Sequence, residues 1–204
     1  IEVSGAGRVE LDFASNYVGN WTVSGELQIN ADNRLGNSAN TVTLDGGTLS
    51  AAGTFTTARG ITAHNGGIYV SPTSSFTVSS GLQGTGSFTK EGLGELVLTA
   101  SSPRSGSNVI LDGSVKINNA AALGSGGITV GHPTLNLAGT LSLNSAITVG
   151  NPLTFQGDGR LAAAATSTYA GTITVATSQG GDFDVAGSQT LTIGDAPNDL
   201  TGGG

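Results

Sequence analysis

Asp182 and Asp184 flank Phe183 and fall on one face of an alternating segment. At strand rise they lie about 7 Å apart, within the roughly 5–9.5 Å that glycoside hydrolysis asks of a carboxylate pair. A carbohydrate-active site would also gather further carboxylates with Lys or Arg on one face, and the 7 basic residues are scattered. The pair reads as a solvated strand face. Asp158, Arg160, Glu91 and Glu95 read as turn and rim charges. His64 and His132 are the two histidines, and there is no cysteine. Zinc takes three or four ligands, so no metal is expected. Gly180-Gly181-Asp182 is only a fragment of the calcium-binding nonapeptide.

Gly84 with Gly86, and Gly92 with Gly94, have the look of phosphate loops. No helix follows to supply an anion site, so corner turns explain them better. Thr41/Thr43, Thr54/Thr56 and Thr190/Thr192 form Thr-x-Thr pairs, the unit of an ice-binding ladder. Thr also simply favours strands, and the pairs are irregularly spaced. Trp21 shares an alternation face with Val23 and is expected in the core. Tyr69, between Ile68 and Val70, is expected to face outward, where a sugar ring would stack. No catalytic, cofactor-binding or metal-binding residue is assigned.

These residues need a scaffold, and the composition restricts it. The chain has 204 residues, 34 of them Gly, with 10% charged residues and a net charge of −7. Clustered Lys or Arg is absent, which argues against nucleic acid and anionic lipid as partners. No apolar run is long enough for a membrane-spanning helix, and direct membrane insertion is not expected. Residue 1 is Ile, with no charged and apolar leader behind it, so the chain is expected to be a processed product or an excerpt.

Short period-2 segments fill the sequence, among them Glu26-Leu27-Gln28-Ile29, Glu95-Leu96-Val97-Leu98, Ser114-Val115-Lys116-Ile117 and Thr134-Leu135-Asn136-Leu137. Gly, Asn and Asp punctuate them, which predicts an all-β protein. Ala120-Ala121-Ala122-Leu123 and Ala162–Ala165 are too short for more than a helical turn. Gly25-Glu26-Leu27-Gln28-Ile29-Asn30 matches Gly113-Ser114-Val115-Lys116-Ile117-Asn118, and Ile61-Thr62 matches Ile147-Thr148. Two related units, at about 5–80 and 84–170, follow within one solenoid segment covering 1–204; residues 202–204 are a candidate linker.

A unit this long holds several coils, since solenoid repeats usually begin near 20 residues. The expectation is a parallel β-helix of roughly eight coils, a rod of about 40 Å at the inter-strand spacing. Leu96, Leu98, Val115, Ile117 and most of the phenylalanines (13, 55, 76, 88, 155 and 183) are its expected core. An antiparallel sandwich or barrel is the competing fold.

Gly86-Ser87-Phe88-Thr89-Lys90-Glu91-Gly92-Leu93-Gly94-Glu95-Leu96-Val97-Leu98-Thr99, with Val109-Ile110-Leu111-Asp112-Gly113-Ser114-Val115-Lys116-Ile117 downstream, resembles the autotransporter-associated β-strand repeat. Residues 5–29 lack the Thr-Lys pair and carry Arg8-Val9-Glu10 instead. The resemblance implies a right-handed β-helical passenger of a type V secreted protein of a Gram-negative bacterium. Such a passenger reaches the cell surface through a C-terminal outer-membrane β-barrel. It also implies an adhesin, biofilm or aggregation role, and offers no catalytic residues.

The expected function is therefore non-catalytic: a secreted, surface-exposed stalk acting as a rigid rod. Its expected partners are surface glycans or proteins, or further copies of itself. The alternatives are a carbohydrate-active β-helix enzyme, a lyase or glycosidase, and a self-assembling extracellular fibre subunit. Loops that break the repeat, residues 99–108 and 162–169, are where function is expected.

Overall fold

Alternate residues of each short strand point inward, and one coil alone leaves that apolar row in water. Stacking coils in parallel covers it. The computed structural model describes the 204 residues except Asn136, Ser178, Asp195, Asn198, Gly203 and Gly204. Part of the expected strand at 134–137 and most of the candidate linker at 202–204 thus lie outside the described residues.

The chain forms a parallel β-helix. Its longest ladder has 10 strands. They are Arg8–Leu11, Glu26–Ile29, Thr48–Ala51, Gly66–Val70, Phe88–Glu91, Asn108–Ile110, Ile128–Val130, Leu153–Phe155, Ile173–Val175 and Leu200–Gly202. A second face carries 7 strands, from Phe55–Thr57 to Asp182–Val185. The third face is split. A ladder of 5 strands runs from Glu2–Val3 to Leu82–Gln83. One of 3 strands joins Thr148–Val149, Ser167–Tyr169 and Leu191–Ile193. Between the two, residues 99–107 and 118–127 cross that face without strands.

The rod has ten coils, two more than the sequence suggests. Its central coils are short: Lys90 pairs with Ile110 and Ile110 with Val130, steps of 20 residues. Ten strands at ~4.8 Å make a ladder about 43 Å long.

One inward column runs Leu27, Leu49, Ile68, Lys90, Ile110, Val130 and Phe155, in pairwise register. Its apolar members are all fully buried, each worth about 1.5–3 kcal/mol of transfer from water. Leu96, Leu98, Val115, Ile117, Phe76, Phe88 and Phe155 are buried as expected. Phe55 is partly buried, whereas Phe13 is 85% and Phe183 44% exposed. No neighbouring coil closes over those two among the described residues.

Polar side chains are also buried, and several sit where corners or missing strands leave backbone groups unpaired. Lys90 Nζ donates to the carbonyls of Glu91 at 2.9 Å, Gly92 at 2.7 Å and Asp112 at 3.2 Å. It ties together the corners of two successive coils. On the split third face, Ser102 Oγ accepts from Leu82 N–H at 2.8 Å and donates to the Ala122 carbonyl at 2.5 Å. One hydroxyl thus links three coils, beside the backbone bond from Ser102 N–H to the Ala121 carbonyl at 2.9 Å. Asn108 Nδ2 donates to the Leu123 carbonyl at 3.0 Å, and Trp21 Nε1 to that of Leu35 at 3.1 Å. Buried backbone groups must be paired, and these side chains do the pairing.

Leu35 ends a 3-10 turn, Asp32–Leu35, that the strand pattern did not reveal. At Gly113, φ is 63° and a Cβ would lie 2.6 Å from the Gly94 carbonyl oxygen. The corner between the first two faces therefore needs glycine there. Glu26–Ile29 belongs to the ten-stranded ladder, and its sequence match Ser114–Ile117 to the seven-stranded one.

Candidate functional site

The corner joining the ten-stranded face to the seven-stranded face is the place where the fold departs from its own rule. After Phe88–Glu91 it takes residues 92–94, and after Asn108–Ile110 and its continuation it closes at Gly113. After Ile128–Val130 it takes residues 131–139 before Thr140–Leu143 begins. Described residues of this longer connection line an open groove of about 440 Å³ together with residues of earlier coils. Tyr69 and Pro72 line it from one coil, Glu91 and Leu93 from the next, and Leu111 and Asp112 from the third. His132, Leu135 and Leu137 line it from the longer connection. A ligand pocket is of comparable size, typically ~300–1,000 Å³, and is mostly apolar with a few placed polar groups.

The sequence suggests a strand at 134–137, but the described residues there form none. The cause is local. His132 Nδ1 accepts the N–H of Thr134 at 3.2 Å and of Leu135 at 3.0 Å, and Leu137 N–H bonds the Leu135 carbonyl at 2.7 Å. Backbone donors spent inside the turn cannot join a ladder. With Nδ1 accepting, the neutral imidazole carries its proton on Nε2.

The charges of the groove have a fixed arrangement. Asp112 Oδ1 accepts the Gly113 N–H at 2.9 Å, which sets the turn. Glu91 stands exposed at the end of its strand. Lys90 lies just beneath both. Burial holds its ammonium down to about 8 from an ordinary 10.5, partly opposed by Asp112 and Glu91. All three of its donors go to backbone carbonyls, so it presents no N–H to the groove.

The other candidate residues lie apart. Asp182 and Asp184 are exposed and pair with Arg160 at 3.3 and 3.6 Å, while Phe183 between them packs on Phe155 with centroids 5.5 Å apart. Glu95 pairs with Lys116 at 2.5 Å, and Asp158 sits in an exposed turn. His64 ends Ile61–His64 on the third face, remote from the corner that holds His132. Among the described residues, no group of three or more His, Cys, Asp or Glu side chains is placed to hold a metal. Gly84, Gly92 and Gly94 occupy turns between strands. Trp21 is buried and Tyr69 faces outward.

Of the loops where function was sought, residues 99–107 turn Arg104 into the interior. Residues 162–169 lie largely within Arg160–Ala163 and Ser167–Tyr169. Tyr169 is fully buried, with its hydroxyl unpartnered among the described residues, and burial pushes its ionisation upward. The longest threonine column is Thr129, Thr154, Thr174 and Thr201 on the ten-stranded face. It arises from register between distant segments, which Thr-x-Thr spacing does not report. The groove was missed for the same reason, since its lining comes from four coils. The sequence signal that does fall on it is Tyr69, expected outward and found in its lining. Comparison of the chain with protein-family models, curated proteins and solved structures returned no match.

Proposed function

We propose that this chain is a stiff structural rod, a surface-exposed stalk of a secreted bacterial adhesin-like protein that serves adhesion or aggregation. The observation that supports it is the unbroken ten-stranded ladder, whose inward positions stay buried from Leu27 to Ile173. A continuous core with polar ties between coils resists bending, because interior packing has little free volume to give. The segment that resembles autotransporter passenger repeats, residues 86–117, contains the Lys90 tie. The reading includes a translocating outer-membrane barrel in the full-length protein, with glycans, surface proteins or neighbouring rods as partners.

The test is display on Gram-negative cells through an outer-membrane barrel. Cells carrying the rod are expected to aggregate or adhere more than cells carrying the barrel alone, and equal behaviour overturns the proposal. Incubation of the purified chain with polysaccharides checks the enzymatic alternative, since new reducing or unsaturated ends would favour it instead.

A further inference from the structure

We infer that the corner groove is a binding site for a short extended peptide that carries Lys or Arg beside leucine-like side chains. Three observations point to this occupant.

The first is shape. The groove crosses four coils along the rod, about 14 Å at the inter-strand spacing. Roughly four residues of extended peptide span that distance.

The second is apolar surface left in water. Leu93 is 65% and Leu135 55% exposed, and both line the same groove. A glycan, whose edge is rich in hydroxyls, covers exposed leucines less completely than a branched aliphatic side chain, which removes apolar surface from water without burying polar groups.

The third is charge complementarity. Glu91 and Asp112 form no ion pair with an exposed cation among the described residues. The exposed basic groups are engaged elsewhere: Arg8 with Glu26 at 2.8 Å, Lys116 with Glu95, Arg160 with Asp182, and Arg34 with the Asn30 amide oxygen at 2.9 Å. Lys90 faces inward. The mouth is therefore negative, and an ammonium or guanidinium entering it meets two carboxylates. The imidazole Nε2–H of His132 supplies a donor for a peptide carbonyl. An acidic polysaccharide is repelled by the same carboxylates. The inference does not rest on the rod being displayed on a cell.

The experiment uses the intact chain and Leu-Lys-Leu-Lys-amide carrying fluorescein on its N-terminus, read by fluorescence anisotropy. Saturable binding is expected, weakening as salt rises. Glu91→Gln and Leu135→Ser should each raise Kd by about tenfold or more. Both residues are exposed, and circular dichroism and thermal melting check that the variants keep the fold. Leu-Glu-Leu-Glu and Ser-Lys-Ser-Lys peptides, and a glucosamine oligomer, should bind weakly or not at all. The proposal is overturned if the Leu-Lys peptide fails to saturate, if either variant binds it unchanged, or if any of the three control ligands binds as well. The adhesion assay above is independent: a rod that adheres with Glu91→Gln in place separates the groove from the stalk function.

Discussion

Arg59 and Arg104 are both almost wholly buried, at 3% and 1% exposure, yet they are held in different ways. Arg59 has a counter-ion. Its Nε and Nη2 meet the two carboxylate oxygens of Asp32 at 2.8 and 3.1 Å, and Nη2 also reaches the Gly36 carbonyl at 2.9 Å. Arg104 has none. It donates to the carbonyls of Gly86 at 2.7 Å and Gly106 at 2.9 Å and to Asn108 Oδ1, and it lies 5.6 Å from the Phe88 ring centroid. Its Nε is unpartnered among the described residues. Burial lowers its ionisation to about 10. The contrast shows that this solenoid solvates an interior cation with neutral groups, turned-in backbone carbonyls together with an amide oxygen and a ring face. It does so on the split third face, where no ladder claims those carbonyls.

Removing each cation tests the contrast. The largest loss is expected for Arg59→Ala, which leaves the Asp32 carboxylate and several carbonyls unpaired. Breaking one side of a buried pair costs about 3–5 kcal/mol; with the Asp32 side chain 31% exposed, a loss at the lower end, about 3 kcal/mol, is expected by urea unfolding. Arg104→Met should cost less, about 2–3 kcal/mol, because it strands neutral carbonyls rather than a charge. Asp32→Asn makes the site of Arg59 resemble that of Arg104, and about 1–2 kcal/mol is expected from losing a charge-assisted bond. If Asp32→Asn proves as costly as Arg59→Ala, neutral groups alone do not suffice at this site, and the two sites are unlike in kind. Lys90→Met should cost least, about 1 kcal/mol at pH 7, although it strands the carbonyls of Glu91, Gly92 and Asp112. The apolar column of Ile68 and Ile110 accommodates Met, and the desolvation cost of the ammonium disappears.

Lys90 also gives the smallest and most specific signal, in pH. Its ionisation is lower in the folded chain, about 8, than its ordinary 10.5. Below pH 8 both states hold the proton and the burial cost is felt in full. Between the two values the unfolded chain binds more protons, so stability rises with pH. The rise should be present in the wild type and absent in Lys90→Met, with the difference between them cancelling the contributions of Arg104 and Tyr169. Parallel curves from pH 7 to 10 would show that Lys90 does not titrate in this window.

Most of the stack was legible because strand chemistry is local. Leu96, Leu98, Val115 and Ile117 alternate with polar neighbours, and the structure buries all four. Lys90 was legible in principle, since it shares a face with Phe88, but its residue type suggests surface. Arg59 and Arg104 lie in stretches without period, so alternation says nothing about them. Coil number depends on coil length, which register fixes and composition does not. The strand expected at 134–137 failed because His132 takes the N–H groups that a ladder needs. The groove was illegible for a different reason, since Tyr69, Leu93 and Leu135 meet only after the chain has turned three coils.

The ties between coils have a mechanical consequence. Pulled by its two ends, a solenoid opens by peeling, one coil at a time, and each peel breaks a single row of ladder bonds. Arg59 and Lys90 each reach into a neighbouring coil, so the row at those points cannot part until the side chain lets go. They act as rivets, and a force trace of the rod should pause where the peeling front meets them.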